Sequence, residues 1–299
     1  IIKAMSKEAK VIILDEPTAT LSGKEVDRLF EMIRDLKAKG VGFIIVSHRI
    51  NEIYEISDRI TVFRDGRLVL SGAKTSELKE MDLIKAMVGR QIDDLYGSAL
   101  RRQRDIPDEI VLEVKDICDT KGFVRNCSFQ VKKGEILGVS GLVGAGRTEL
   151  MRCVFGIDKR SKGTVVFRGK EVKPDSITAS ISAGMGFLSE KRKEEGLHQE
   201  MSIIQNLNMV VCAVSRSWMV NWKKEAENCV NVVDMLKVKI GEPYNKISSL
   251  SGGNQQKILL GKWLLSGPKL LIIDEPTRGI DVASKSEIYG ILRELAEKG

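Results

Sequence analysis

Long apolar runs are missing from this sequence. The longest, MVVCAV at residues 209–214, is six residues, whereas a helix needs about 20 to cross a bilayer. A chain of this kind that works at a membrane would sit on a partner and not in the lipid. Nothing at its start reads as a secretory leader. Histidine is scarce, with two in the chain, His48 and His198. The five cysteines (Cys118, Cys127, Cys153, Cys212 and Cys229) are odd in number and widely spaced, and no CxxC pair occurs. That argues against zinc and for reduced, cytosolic thiols. A large charge of either sign is also lacking. The 48 Lys and Arg against 41 Asp and Glu leave +7, which suits phosphate ligands and is too little to argue for nucleic acid. With 42% hydrophobic and 30% charged residues, the composition is globular and not disordered or collagen-like. At about 150 residues per domain, 299 residues suggest two domains.

What the chain does have is an internal repeat. Asp15-Glu16-Pro17-Thr18 recurs as Asp274-Glu275-Pro276-Thr277, an offset of 259 (274 − 15). At that offset VIIL (11–14) falls on LLII (270–273), and Arg34, Leu36, Lys39 and Gly40 fall on Arg293, Leu295, Lys298 and Gly299. The offset nearly fills the chain. It reads as the end of one unit, residues 1–96, followed by most of a second, residues 110–299, in a sequence cut from a longer one. Residues 97–109 (GSALRRQRDIPDE) are charged, lack apolar periodicity and contain Pro107, as a linker would. Apolar stretches at 60–63 and 68–70 flank RDGR, a hairpin signal. Short strands are expected at 11–14, 43–46, 111–114, 128–131, 135–139, 164–167 and 270–273. Residues 176–245 are rich in helix formers and are expected as a helical insertion. Continuous apolar strands alternating with helices predict an α/β fold whose mainly parallel sheet is covered on both faces.

The segment at 135–140 (EILGVS) leads into GLVGAGRT (141–148), and a helix is expected from Thr148 to a stop at Gly156. Strand, glycine loop and helix together form the setting of a phosphate loop. Gly141, Gly144, Ala145 and Gly146 let backbone N–H groups converge on phosphate oxygens, and the helix N-terminus adds positive potential. Thr148 is placed to coordinate Mg²⁺. Arg147 stands where Lys is expected, and a planar fork is not interchangeable with a compact ammonium at a tight phosphate site.

Each DEPT follows four apolar residues. Two adjacent carboxylates at the tip of a buried strand are costly unless they serve metal or water. Asp15 and Asp274 can hold a Mg²⁺ shell, and Glu16 and Glu275 can polarise an attacking water. An Asp N-cap of the next helix would explain one carboxylate of each pair but not both. LSGGNQQ (250–256) precedes a helical stretch at 257–265. Ser251, Gly252 and Gly253 offer a hydroxyl and open N–H groups to an anion, and an ordinary Ser N-cap is the alternative. His48, after the strand at 43–46, is either structural or able to reach a terminal phosphate. His198 reads as structural, and Trp218 and Trp222 as packing residues.

The order of phosphate loop, LSGG-Q and apolar strand plus Asp-Glu resembles the ATP-binding cassette ATPases. LSGGNQQK (250–257), DEPTRGID (274–281) and GLVGAGRTEL (141–150) resemble the second cassette of the tandem ATP-binding subunits of bacterial simple-sugar importers, the ribose, galactose and xylose type. DEPTATLS through VSHRINEI to VFRDG resembles the C-terminal half of their first cassette. The resemblance implies a P-loop NTPase of ABC type with an antiparallel β subdomain and a helical subdomain, in two tandem cassettes, both incomplete here. It implies ATP and Mg²⁺ as cofactors, with Asp15, Thr148 and Asp274 at the metal. One site would combine Asp15, Glu16 and His48 with Ser251, Gly252, Gly253 and the neighbouring Gln255. The other would combine Arg147, Thr148, Asp274 and Glu275 with a signature not contained in the sequence. Glu190 occupies the place of a Gln found in many cassettes, in a segment that would face the membrane subunit. Ser22 stands where the second copy has Asp281, and Phe123 either stacks on adenine or packs in the core. The implied partners are integral-membrane permease subunits, as a homodimer, and indirectly an extracellular or periplasmic solute-binding protein, with no nucleic acid. The implied place is peripheral, on the cytoplasmic face of the bacterial plasma membrane. A nucleoside importer uses nearly the same cassettes. A soluble tandem cassette acting on ribosomes would instead carry a long charged linker and a DEPTNHLD-like tip.

Overall fold

Strands β1 (Val11–Asp15) and β2 (Gly42–Val46) pair in parallel, with Val11 opposite Gly42 and Asp15 opposite Val46. A parallel pair needs a crossover, and α1 (Gly23–Ala38) supplies it. Its Leu29, Phe30, Ile33 and Leu36 recur at helical spacing and are buried, the first three against Leu14, Phe43 and Ile45. The structure is a computed structural model that describes residues 9–18, 21, 23–47, 49–64, 66–88, 106–142, 144–215, 221–280 and 282–298. His48, Trp218, Ser22, Asp65 and Asp281 lie outside the described residues, as do 97–105 of the expected linker. The chain divides into two units, Ile1–Arg101 with Asp281–Ala283 and Arg102–Ile280 with Ser284–Gly299.

In the first unit the helix α2 (Ile50–Ile56) leads to β3 (Arg59–Arg64) and β4 (Arg67–Lys74), an antiparallel hairpin in which Arg64 faces Arg67. The helix α3 (Glu80–Val88) closes a small core of Ile60, Val62 and Leu83. Cover on both faces of the sheet is not met at β1 and β2. Val11, Ile13, Ile44 and Val46 lie on the face away from α1 and are 50% to 68% exposed. The strands are apolar on both sides, and the apolar cluster on the covered side is built by α1 with Ile56 of α2.

The second unit begins with an antiparallel sheet of order β6-β5-β7-β8, from β5 (Ile110–Asp119), β6 (Cys127–Lys132), β7 (Arg160–Phe167) and β8 (Lys170–Glu171). The helix α4 (Arg147–Phe155) ends where expected, at Gly156 with φ 87°. The short helix α5 (Ile177–Ala183) precedes β9 (Met185–Leu188), which pairs in parallel with β10 (Leu270–Ile273). A single π turn spans Arg192–Gly196. Helices α6 (Ile203–Val214), α7 (Trp222–Met235) and α8 (Gly252–Leu264) pack on one another, and α9 (Val282–Glu297) follows β10. Phe155 sits at the centre of the core, 5.4 Å from the Phe187 ring and 5.9 Å edge-on to Trp263.

Three further expectations fail. Residues 185–188 are not helical; four consecutive buried residues, MGFL, form a strand too short for any period to betray. Residues 135–139 form no strand, because no described strand offers them a ladder, and Ile136, Leu137 and Val139 are left 40% or more exposed. Trp222 is not packed; it opens α7 on the surface, 67% exposed.

Candidate nucleotide-binding site

The loop after residue 140 is built by its glycines. Gly144 and Gly146 adopt φ of 81° and 83°, a region that favours glycine. A Cβ on Gly146 would also lie 3.0 Å from the Phe123 carbonyl oxygen. The Ala145 N–H donates to Leu142 O at 3.1 Å, closing the turn. Gly146 then caps α4, so the open N–H groups of that helix face the loop. Phe123 is 60% exposed beside this loop, which removes the core-packing reading for it.

Arg147 and Thr148 open α4 and reach the acidic tip that follows β10. The Thr148 hydroxyl donates to Asp274 Oδ2 at 2.7 Å, across 126 residues of sequence. Arg147 Nη2 lies 3.7 Å from Glu275 Oε1. Its stem folds against the loop start, 3.6 Å from where a Gly141 Cβ would be. Glu275 has φ 43°, and Glu16 at the first tip has φ 44°. Left-handed backbone is strained for Glu, and the same strain recurs at the same offset.

Among the described residues no group of three or more His, Cys, Asp or Glu could hold a metal ion. Asp274 and Thr148 would therefore act with phosphate oxygens and water, the usual Mg²⁺ arrangement, and not as part of an all-protein cage. In the first unit the Glu16 N–H extends the ladder to Val46 O at 2.9 Å, next to Asp15 at the end of β1. Buried Thr18 donates to Glu52 on α2, and Glu52 also pairs with Arg49 at 2.8 Å. These contacts tie the tip to the segment that follows residue 48.

Ser251 caps α8, its hydroxyl accepting weakly from the Asn254 N–H at 3.5 Å, and is itself exposed. Gly252 is crowded: a Cβ there would lie 3.2 Å from Gly279 O and 3.3 Å from Arg192 Nη2. Gly253 is buried. Gln255 does not face a ligand. Its Nε2 donates inward to Ile247 O at 3.3 Å and Leu250 O at 3.1 Å, because the fourth residue of α8 turns toward the core here. Glu190 follows β9 and is ion-paired with Arg278, a residue that motif reading passes over. The signal for it was an Arg after the second DEPT, where the first copy has Ala19, together with an acidic residue at position 190.

The sequence profile of the ABC transporter family matches residues 124–278, over half of the chain. The chain belongs to the ABC transporter family. A ribose import ATP-binding protein, RbsA, of Bacillus licheniformis is 44% identical over 303 residues, covering 100% of this chain and 60% of that protein. RbsA of Bacillus subtilis is 43% identical over 303 residues, with the same coverage of 100% and 60%. The chain thus spans 58% to 60% of the length of the curated relatives it matches. A solved ATP-binding cassette, a dimer in a post-hydrolysis state bound to ADP and Pi, superposes with TM-score 0.55 at 19% identity, covering 62% of this chain and 83% of that one. At that identity the likeness shows the fold, an ABC cassette.

Proposed function

We propose that the chain carries nucleotide-binding and ATP-hydrolysing machinery that energises import of a monosaccharide or related small solute. The observation that supports this most is the meeting of Thr148 with Asp274 at 2.7 Å. It occurs at the mouth of a glycine loop, in a chain 44% identical from end to end to a ribose import ATP-binding protein.

The residues present suit a magnesium nucleotide. When bound, Mg²⁺ neutralises phosphate charge and ATP supplies the phosphoryl group that water attacks. The backbone of Gly144, Ala145 and Gly146 would hold phosphate oxygens, and Thr148 and Asp274 the cation shell. Arg147 would exchange its contact with Glu275 for phosphate, freeing that carboxylate to orient water. The long fork in place of a compact ammonium makes this second phosphate loop a poorer hydrolytic site. Turnover is assigned instead to Glu16 as the water-polarising carboxylate and His48 at the terminal phosphate, with Asp15 at the metal. The two units are read as parts of tandem cassettes. Their partners would be permease subunits and, through them, a solute-binding protein, with the chain peripheral on the cytoplasmic face of the membrane.

The test is ATP turnover of the intact protein assembled with its permease. Glu16→Gln should lower the rate by about 100-fold or more, the scale of a lost general base, and Glu275→Gln much less. Equal losses from the two substitutions would overturn the division of labour between the tips. Unchanged rates in both would overturn the catalytic reading itself.

A further inference from the structure

Strands β9 and β10 run in parallel and end together. Leu188 is opposite Ile273, and the Asp274 N–H donates to Leu188 O at 2.9 Å. The residues beyond these ends therefore share one edge of the sheet, so Glu190 emerges beside Asp274 and Glu275. Three carboxylates at one strand edge repel one another and would repel phosphate. Yet the three do not gather into a metal-holding group. Each has its own attendant: the Thr148 hydroxyl for Asp274, Arg147 for Glu275 and Arg278 for Glu190.

We propose that Arg278 is a positioning residue: by pairing with Glu190 it holds that carboxylate out of the cation's reach and sets how nucleotide binding depends on Mg²⁺. This rests on the nucleotide reading above. The pair is held from both sides. The Arg192 N–H donates to Glu190 O at 3.0 Å, and the Arg278 N–H donates to Glu275 O at 3.2 Å, so both side chains leave turns of fixed geometry. Gly279, with φ 65°, completes the second turn. Glu190 is the more enclosed partner, with 23% of its side chain exposed against 53% for Arg278. The carboxylate thus lies inside and the guanidinium reaches in to it from solvent. A neutral amide at position 190 would need no such partner. The first tip has Ala19 at the offset position of Arg278, so the Arg goes with this site and not with the DEPT tip in general.

The experiment measures the affinity of the intact protein for a fluorescent ATP analogue, over a Mg²⁺ series and in EDTA. The site to follow is the one that Thr148→Ala removes. Arg278→Ala should weaken binding in EDTA by about two- to five-fold, the range of a partly exposed charge interaction. It should also lower the Mg²⁺ concentration needed for half-maximal binding, since a freed carboxylate attracts the cation. Glu190→Gln combined with Arg278→Ala should return both quantities to the wild-type values, which also shows that the single variant is folded. An Arg278→Ala protein with unchanged Mg²⁺ dependence would overturn the proposal. So would a double variant as defective as the single, because Arg278 would then act on phosphate directly. A wild-type protein that binds no nucleotide would instead sink the functional reading beneath it.

Discussion

Gly261 lies in the C-terminal half of α8, the helix whose start carries Ser251, Gly252 and Gly253. A Cβ at this position would stand 2.3 Å from Val232 Cγ1, 3.2 Å from Leu207 Cδ2 and 3.3 Å from Leu236 Cδ1. Carbon atoms in good contact are about 3.5–4.0 Å apart, so the first of these cannot be absorbed without movement. Val232 is β-branched on a helix and 1% exposed, with Leu207 at 0% and Leu236 at 2%. It has one strongly preferred χ1 rotamer and no room to leave, so α7 and α8 must separate. Overpacking of this kind costs about 1–3 kcal/mol, while Ala in place of Gly returns about 1 kcal/mol of helix propensity. The clash is severe enough for the upper part of the range, so Gly261→Ala should destabilise by about 2 kcal/mol. Val232→Ala alone should cost about 2 kcal/mol through lost contacts and a cavity. In the double variant the new methyl occupies space the valine left, and the loss should be about 1–2 kcal/mol, not the sum of about 4. Urea denaturation followed by fluorescence of Trp263, which is buried on the same helix, reads the transition. Gly261→Ala protein as stable as wild type, or additive losses in the double variant, would refute the packing argument.

Burial pushes the Lys262 ammonium down to about 8, although its Nζ donates to Gly196 O at 2.5 Å. The unfolded lysine keeps the ordinary value of 10.5, so between pH 8 and 10.5 the unfolded state binds more protons and stability rises with pH. The full difference amounts to about 3 kcal/mol. It should appear as a pH-dependent gap between wild type and Lys262→Met in denaturant titrations, and a constant gap from pH 7 to 10.5 would contradict it. Cys153 works in the opposite direction: burial raises its thiol to about 11, so stability is lost above pH 9, and the Lys262 comparison is cleanest between pH 8 and 9. The native protein should leave Cys153 and Cys229, at 0% and 1% exposed, unlabelled by a thiol reagent at pH 8 until denaturant is added; mass spectrometry of peptides from native labelling that finds either modified would show that the core opens.

Much of the fold is legible in the sequence because the repeat carries more than its four-residue motif. The helix Gly23–Ala38, moved by the offset of 259, falls on Val282–Glu297, the observed α9. The helix stop at Gly156 and the hairpin between Arg64 and Arg67 follow from local chemistry and were readable for that reason. What escaped depends on neighbours. MGFL at 185–188 becomes a strand only because β10 lies beside it, and the equally apolar ILGV at 136–139 does not for want of such a partner. In the site, residue types gave the loop and the tips, but not which cation attends which carboxylate. Spacing could not show that Gln255 turns inward to bind Ile247 O, or that Arg278 crosses to Glu190.

The two strained glutamates bear on function more directly than any motif does. Left-handed backbone costs a non-glycine residue about 1–3 kcal/mol. Glu16 and Glu275 also each precede a proline, which favours extended backbone in the residue before it. Stability alone would place glycine or asparagine at such a bend, or straighten it. Instead Glu recurs at both tips with φ of 44° and 43°. Strain that recurs in two copies with the same acid is best explained by what the bend achieves. On the proposed reading the bend sets the second carboxylate of each tip apart from the first, so that one would serve a cation and the other, once Arg147 leaves Glu275 for phosphate, a water.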